Sequence, residues 1–332
     1  HGKTTTTSMT THIFMAAHAD PTVMIGGTLP MLHSGYRVGK GETIILESCE
    51  YCNSFLHFFP TVAVVLNVEE DHLDFFKNLD DIKASFRKFA QLVPPEGRVV
   101  ANADNPGTMD ALRGLPLFTF GCAPEADCRA ENLTWNRGRP DFDVVVGGDL
   151  YAHLSLRVAG MHNVYNALAA AAAAYTLGIS GKAVRQGLEG FFGAGRRFEF
   201  KGQFNGAKIY DDYAHHPAEL HALLDMARTL GYERVICAFQ PHTYTRTKAL
   251  FDDFVRELKA ADLVVLTDIY AAREKNTIGV SSKELADQIP GSLYCPSLGE
   301  AADCLRELAR TGDLIITVGA GDIYTVGEAL VG

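Results

Sequence analysis

Runs of apolar, β-branched residues alternate along this chain with segments of helical periodicity, and this alternation restricts the fold more than any other feature. Strands that alternate with helices are typical of parallel sheets with covering helices. The sequence therefore predicts an α/β fold. The predicted strands are residues 43–46, 61–67, 98–102, 117–120, 207–210, 234–239, 263–267 and 314–318. The predicted helices are residues 82–92, 164–177, 218–230, 248–260, 282–288 and 301–308.

One segment of the first half departs from this alternation. Residues 143–146 and 151–158 flank the turn sequence Gly147-Gly148-Asp149, which predicts a β-hairpin. We expect a small antiparallel patch beside the main sheet. Four glycines between residues 187 and 195 mark a domain boundary, since 332 residues exceed what one core usually holds. We predict domains at residues 1–193 and 194–332, the second a small doubly wound, Rossmann-like fold.

Composition excludes several classes of function. The chain carries 30 Lys and Arg against 40 Asp and Glu, a formal net charge of −10, which argues against general binding to a nucleic-acid backbone. No apolar run reaches the roughly 18 residues of a membrane span. Seven cysteines are scattered without a paired framework, as in a reducing cytoplasm. We expect a cytoplasmic protein that binds neither nucleic acid nor membrane, and the sequence indicates no oligomeric state.

The chain opens inside a motif. Gly2, Lys3 and Thr4 match the end of the P-loop pattern G-x-x-x-x-G-K-[ST], in which backbone amides and the lysine bind phosphates and the hydroxyl binds Mg²⁺. The threonines that follow favour a helix, whose N-terminus would add to the phosphate site. A capped surface helix is the alternative on these residues alone. Because the pattern lacks its first part in residues 1–332, we expect this stretch by itself to bind ATP poorly and to be catalytically inactive.

Acidic residues follow two of the predicted strands, at the edge where open α/β sheets bind ligands. Glu47 ends the first of these strands, and the second is followed by an acidic segment that contains Glu69 and His72. Carboxylates at such positions are candidate metal ligands, and a solvated loop is the alternative. For Glu50 and Glu69 the solvated loop is the favoured interpretation.

Other polar residues open helices or follow strands. Asn163 and Asn166 share one face of the alanine-rich helix; the first is a typical cap, and the amide of the second could hydrogen-bond a base. In the second half, residues 211–217 contain adjacent histidines that lack a third zinc ligand at suitable spacing. Arg196 and Arg197 either meet a nucleotide or belong to a solvated linker.

The motifs occur in a fixed order along the chain: HGKTTT, ESCEYCNSFLHFFPTVAVVLN, EEDHLD, GMHNVYNALAA, GRRFE, DDYAHHPAE, FQPHTYTRT and GDLIITVGAG. Together they resemble the Mur ligases of peptidoglycan synthesis, and most closely the members that join L-alanine to UDP-N-acetylmuramate. The resemblance implies an ATP-dependent carboxylate–amine ligase that forms an acyl phosphate. It also implies a central P-loop-type ATPase domain followed by the C-terminal domain, with a UDP-sugar domain outside residues 1–332.

The resemblance also implies roles for residues in the first domain. Gly2, Lys3 and Thr4 resemble the residues that bind the phosphates of ATP. Thr4, Glu47 and His72 resemble the ligands of two Mg²⁺ ions. Lys3, Glu47 and His72 are the implied catalytic residues.

A second set of roles concerns the base of the nucleotide and the incoming amino acid. Asn166 resembles the residue that reads adenine, and Arg197 and Asp212 resemble C-terminal residues that close over the nucleotide. The residues implied for the amino-acid pocket are Tyr213, His215, His242 and Arg246.

The sequence departs from the family pattern at two places, and alternatives stay open. Thr243 stands where the family often has an arginine, which leaves the specificity for L-alanine open. The segment 47–52 keeps its first glutamate but lacks two aspartates. The alternatives are a murein tripeptide recycling ligase of the same family, a P-loop NTPase or kinase with an unrelated C-terminal domain, and a non-catalytic nucleotide-binding protein.

Overall fold

The computed structural model describes residues 1–71 and 75–332. Contacts between residues divide the chain into two compact units, His1–Ala194 and Gly195–Gly332. Both units combine helices with sheets that are largely parallel, so the predicted α/β class is confirmed. Within the described ranges, no helix is both long and apolar enough to cross a membrane.

The first unit contains five α-helices and nine strands among its described residues. The helices are α1 (Lys3–Ala16), α2 (Leu79–Ala90), α3 (Pro106–Ala111), α4 (Met161–Thr176) and α5 (Gly181–Glu189). The strands are β1 (Thr22–Leu29), β2 (Ser34–Arg37), β3 (Ile44–Leu46), β4 (Val62–Val65), β5 (Arg98–Asn102), β6 (Leu117–Gly121), β7 (Cys128–Asn136), β8 (Arg139–Val146) and β9 (Asp149–Ser155).

Six strands form one continuous sheet in the order β4-β5-β6-β7-β8-β9. The pairs from β4 to β7 are parallel, and β7-β8-β9 is an antiparallel meander. The predicted hairpin is present between β8 and β9, and its two turn glycines have φ of 60° and 95°, as a type I′ turn requires. The antiparallel patch therefore extends the main sheet.

The strand predicted at residues 43–46 does not join that sheet. It forms β3, which pairs in parallel with β1, and β1 pairs on its other side with β2 in an antiparallel manner. These strands make a separate three-stranded sheet. The expectation of a single parallel sheet is wrong at this point, because residues 22–37 contain two strands that the sequence analysis left unassigned.

Helix α1 packs on α4 and α5 through small side chains. In α4, the residues from Ala167 to Ala174 are almost entirely buried, and short alanine side chains allow close approach of neighbouring elements. In α5, a Cβ at Gly187 would lie 2.6 Å from the Ile13 Cα, so the two helix backbones touch there. The second half of α1 is thereby held closely against α5.

The second unit contains the remaining elements, six helices and six strands. The strands are β10 (Glu199–Phe204), β11 (Ala207–Asp212), β12 (Arg234–Phe239), β13 (Leu263–Leu266), β14 (Leu293–Tyr294) and β15 (Asp313–Val318). The helices are α6 (Pro217–Arg228), α7 (Tyr244–Ala249), α8 (Phe251–Leu258), α9 (Ser282–Asp287), α10 (Leu298–Leu308) and α11 (Tyr324–Val331).

These strands form a sheet in the order β10-β11-β15-β12-β13-β14. All pairs are parallel except β10 with β11. In the central strands, apolar residues such as Ile236 and Ile315 are inaccessible to solvent, and Asp313 and Thr317 are buried beside them. Because β11, β15, β12 and β13 are parallel, the loops that follow them meet at one edge of the sheet, where α/β folds bind ligands.

Candidate active site

The phosphate-binding motif of the sequence begins helix α1. Gly2 precedes the first helical residue with φ 80° and ψ −4°, a left-handed conformation that glycine adopts without strain. The backbone amide of Thr6 donates to the Gly2 carbonyl at 2.9 Å and closes the first turn. The remaining first-turn amides point out of the helix end, where they favour an anion.

Lys3 lies at this helix end and is bound by a carboxylate. Its Nζ donates to Glu50 Oε1 at 2.9 Å and to Oε2 at 2.8 Å. Burial disfavours the charged ammonium, but the charge and hydrogen bonds of Glu50 outweigh it and raise the pKa of Lys3. Glu50 has only 13% of its side chain exposed, so the solvated-loop interpretation is wrong for this residue.

Thr4 and Glu47, two of the residues predicted to bind Mg²⁺, are adjacent. The Thr4 hydroxyl donates to Glu47 Oε1 at 2.8 Å, and the Gly26 amide donates to Oε2 at 2.6 Å. A Cβ at Gly26 would lie 2.9 Å from Glu47 Oε1, so the glycine in β1 makes room for the carboxylate. Glu47 follows β3 directly, and the pairing of β3 with β1 thus sets its position.

Asn166 lies beside the same helix end. Its Oδ1 accepts from the Thr6 hydroxyl at 3.2 Å, and its Nδ2 donates to Asn163 Oδ1 at 3.2 Å. A Cβ at Gly2 would lie 2.5 Å from Asn166 Oδ1. Both asparagines are buried, and the Asn166 amide has one further N–H and one further lone pair beyond these two hydrogen bonds.

Two further residues of the predicted metal region have different outcomes. His72 lies outside the described residues, and its role stays a prediction. Glu69 accepts from Asn105 Nδ2 at 3.4 Å and lies 3.5 Å from the His1 imidazole. The structure thus brings Gly2, Lys3, Thr4, Glu47 and Asn166 together at the start of α1.

In the second unit, Arg196 holds two loops at the carboxyl edge of the sheet. Its guanidinium donates to the buried Asp211 carboxylate at 2.9 Å and to the carbonyls of Gly319 and Gly321 at 2.7 and 3.0 Å. It also lies over the rings of Tyr213 and Tyr324. These contacts make Arg196 a structural residue, and the solvated-linker alternative does not apply to it.

Asp212 and Arg197 lie at the same edge. The Asp212 carboxylate accepts from the backbone amides of Phe198 and Ala214, each at 2.8 Å. Burial raises the pKa of Asp212 to about 6, although the Arg197 charge and these hydrogen bonds oppose the rise. The Arg197 guanidinium lies 4.9 Å from the centroid of the Tyr213 ring.

The residues predicted for the amino-acid pocket form a row of rings across the strand-end loops. The ring centroids are 5.5 Å apart for Tyr213 and His215, and 5.8 Å for His215 and His242. The Arg246 guanidinium lies 3.2 Å from His242 Nδ1. All four predicted pocket residues are therefore neighbours, whereas His216 turns away to cap α6.

His242 is a neutral ring in this arrangement. An arginine only donates hydrogen bonds, so His242 Nδ1 accepts from Arg246 and the proton of the ring lies on Nε2. Burial, together with His215 and Arg246, lowers the pKa of His242 to about 4. The site therefore offers a guanidinium and a neutral imidazole donor, which suits a carboxylate ligand.

Both units match models of one protein family. Residues 1–174 match the Mur ligase middle domain, and residues 196–321 match the domain described as Mur ligase, glutamate ligase domain. The chain belongs to the Mur ligase family. The family assignment from the sequence is confirmed, and an unrelated C-terminal domain is excluded, because both parts match.

Curated Mur ligases are identical to this chain at almost half of the aligned positions. The UDP-N-acetylmuramate–L-alanine ligase of Caldanaerobacter subterraneus subsp. tengcongensis is 47% identical over 99% of this chain and 73% of its own length. The protein of the same name from Clostridium novyi is 46% identical with the same coverage. Among solved Mur ligase structures, UDP-N-acetylmuramate–alanine ligase of Thermotoga maritima gives a TM-score of 0.83 at 29% identity, over 99% of this chain and 72% of the other.

Three contributors to the site were missed by the sequence analysis: Glu50, Gly26 and Tyr270. Glu50 stands in the quoted acidic segment, and its spacing from Glu47 gave a signal that we assigned to solvent. Gly26 lies in β1, whose two adjacent glycines interrupt the apolar pattern from which a strand is predicted. Tyr270 follows β13 and stacks on His242; its position after a predicted strand was the available signal.

Proposed function

We propose that this Mur ligase uses ATP to join L-alanine to UDP-N-acetylmuramate, a step in the synthesis of peptidoglycan precursors. The observation that carries the chemistry is the cluster of Lys3, Thr4 and Glu47 at the start of α1. A cation, a hydroxyl and a carboxylate at a helix N-terminus suit a nucleoside triphosphate with its metal ion. The choice of substrates is supported by the names of relatives that are 43–47% identical to this chain.

The proposed reaction has two steps. The substrate carboxylate attacks the γ-phosphorus of ATP, ADP leaves, and an acyl phosphate forms. The amine of L-alanine then attacks the acyl carbon, inorganic phosphate leaves from the tetrahedral intermediate, and the amine loses a proton. Lys3 lowers the barrier of the first step, because its ammonium offsets the negative charge where a carboxylate meets a triphosphate.

Mg²⁺ fits the residues that would hold it. The Thr4 hydroxyl and the Glu47 carboxylate are hard oxygen donors 2.8 Å apart, and Mg²⁺ in proteins is commonly bound by one or two such groups together with phosphate and water. When bound, the ion supplies positive charge to the phosphates. His72 stays a proposed ligand of the second Mg²⁺ ion.

The amino acid would bind at the carboxyl edge of the second sheet. Arg246 and the Nε2 proton of His242 would hold its carboxylate, with Tyr213 and His215 beside them. Arg197 and Asp212 are proposed to contact the nucleotide, and Asn166 its adenine. These roles rest on the resemblance and on the neighbourhood of each residue within its own unit.

Phosphate release by the full-length protein tests this function. We expect release that requires ATP, Mg²⁺, UDP-N-acetylmuramate and L-alanine together, with the ligated product identified by mass spectrometry. Glycine, L-serine and the tripeptide L-alanyl-D-glutamyl-diaminopimelate serve as competing acceptors. Equal release with ATP alone would indicate an NTPase, and a preference for the tripeptide would indicate the recycling reaction.

A further inference from the structure

The loop that carries His242 is paired with the segment after β13. The Tyr270 amide donates to the Pro241 carbonyl at 2.8 Å, and the Thr243 amide donates to the Tyr270 carbonyl at 2.9 Å. His242 and Tyr270 thereby face each other in an isolated parallel bridge. These backbone bonds also hold Thr243 at φ 65° and ψ 145°, a conformation that a β-branched residue rarely adopts.

The Tyr270 ring, which is 37% exposed, contacts two other loops of the unit. It stacks on the His242 ring, with centroids 5.6 Å apart and planes 19° apart. It also lies against Gly321, where a Cβ would come within 2.6 and 2.7 Å of two atoms of the tyrosine ring. Gly321 is itself held by Arg196 through its carbonyl. The plane of the tyrosine ring is therefore set by the loop that follows β15.

The plane of the His242 ring decides where its two nitrogens point. Nδ1 faces the Arg246 guanidinium at 3.2 Å, and the ring centroid lies 5.8 Å from that of His215 with the two planes 61° apart. A stacked tyrosine prevents rotation of the imidazole about its Cβ–Cγ bond, since a turned ring would collide with it. His242 then keeps Nδ1 on Arg246, and its Nε2 proton keeps one direction relative to Arg246.

We propose that Tyr270 is a positioning residue of the amino-acid site: its ring fixes the imidazole of His242, and through it the guanidinium of Arg246. The proposal rests on the proposed function for the identity of the ligand, L-alanine. The aromatic ring is the part of Tyr270 that positions His242, because the contact between the two residues is ring stacking and does not involve the hydroxyl. A phenylalanine at position 270 should therefore replace the tyrosine, and an aliphatic side chain should not.

The test compares Tyr270→Phe, Tyr270→Leu and Tyr270→Ala in the full-length enzyme, with Phe200→Ala as the control. Phe200 is an aromatic residue of the same unit with 51% exposure. We expect Tyr270→Phe to keep the KM for L-alanine within about twofold. Tyr270→Leu and Tyr270→Ala should raise it by about tenfold or more, while the KM for ATP changes less than about twofold. The imidazole NMR signals of His242 should shift in the last two variants only.

Each outcome supports or contradicts the proposal. Equal KM values in all three variants, or equal increases for L-alanine and ATP, would overturn it, and the Leu variant guards against a cavity effect in Tyr270→Ala. A failure of the proposed function would give a different result from a failure of this proposal. In that case the wild-type protein would show no L-alanine-dependent product, although the His242 signals still responded to the loss of the ring.

Discussion

At the scale of single residues, the polar side chains of the site in the first unit already hydrogen-bond to one another. Lys3 holds both oxygens of Glu50, and Thr4 holds Glu47. A nucleotide must therefore compete with carboxylates of the protein for the same cation and hydroxyl. This competition gives the individual residues different and measurable effects.

Replacement of Lys3 by alanine should reduce catalysis more than binding. Loss of one preorganised electrostatic donor costs on the order of 3 kcal/mol of transition-state stabilisation, about a hundredfold in rate. The measurement is kcat/KM of the full-length enzyme, and Lys40→Ala, a change of an exposed lysine of the same unit, is the control. A loss below tenfold would make Lys3 peripheral to the reaction.

Replacement of Glu50 by glutamine should strengthen the binding of ATP. The neutral amide holds the Lys3 ammonium less tightly, so the phosphates meet less competition. We expect the Kd for ATP to fall about threefold or more in calorimetric titrations, with Glu42→Gln, a change of an exposed glutamate, as the control. Weaker binding in the Glu50→Gln variant would instead make Glu50 part of the nucleotide site.

The neutrality of His242 predicts a pH dependence. Its pKa in the folded protein is about 4, below the ordinary value of 6.5, so the folded state binds fewer protons than the unfolded state between these values. The contribution of His242 to stability is therefore present above pH 6.5 and lost as the pH falls towards 4. NMR titration of the imidazole checks this, and a midpoint near 6.5 would contradict it.

At the scale of elements, the bounds of strands that are mostly buried were predicted most closely. Strands β5 and β12 have the predicted bounds, and the alanine-rich helix α4 lies within three residues of its prediction. Strand β1 was missed because Gly26 and Gly27 interrupt its apolar pattern, and β7 because Cys128 alone among its residues is buried. Periodicity reports burial, so partly exposed strands give a weak signal.

The contact between α1 and α5 gives a prediction at this scale. Replacement of Gly187 by alanine places a Cβ 2.6 Å from the Ile13 Cα, and overpacking of this kind costs about 1–3 kcal/mol, more than the gain in helix propensity. The free energy of unfolding of the first unit should fall accordingly in denaturant titrations. Gly190→Ala, which meets no atom closer than 3.4 Å, is the control in the same segment and should be nearly neutral.

At the scale of the whole molecule, the residues proposed for ATP phosphates and for the amino acid lie in different units. Lys3, Thr4 and Glu47 belong to the first unit, and His242 and Arg246 to the second. The sequence predicted these residues from their order along the chain. It could not predict the partner of Lys3 or the ring that stacks on His242, because each contact joins segments that are far apart in sequence.

This division predicts a separation of kinetic effects. Replacement of Arg246 by alanine should raise the KM for L-alanine about tenfold or more and leave the KM for ATP within about twofold, because only the amino-acid carboxylate loses its partner. Steady-state kinetics with each substrate varied in turn measures both values. Arg113→Ala, a change of an exposed arginine of the first unit, is the control, and a larger effect on ATP would mean that the loop is misassigned.

Strand β15 lies between β11 and β12 in space although it follows both in the chain. During synthesis, the ribosome therefore releases both flanking strands before the strand that joins them exists. Until β15 is synthesised, the edges of β11 and β12 that pair with it are exposed in the nascent second unit. Contacts between segments so far apart in the sequence form slowly. Chaperones that shield such edges would have their main opportunity in that interval, and a premature stop codon upstream of β15 would leave a product for the quality-control proteases.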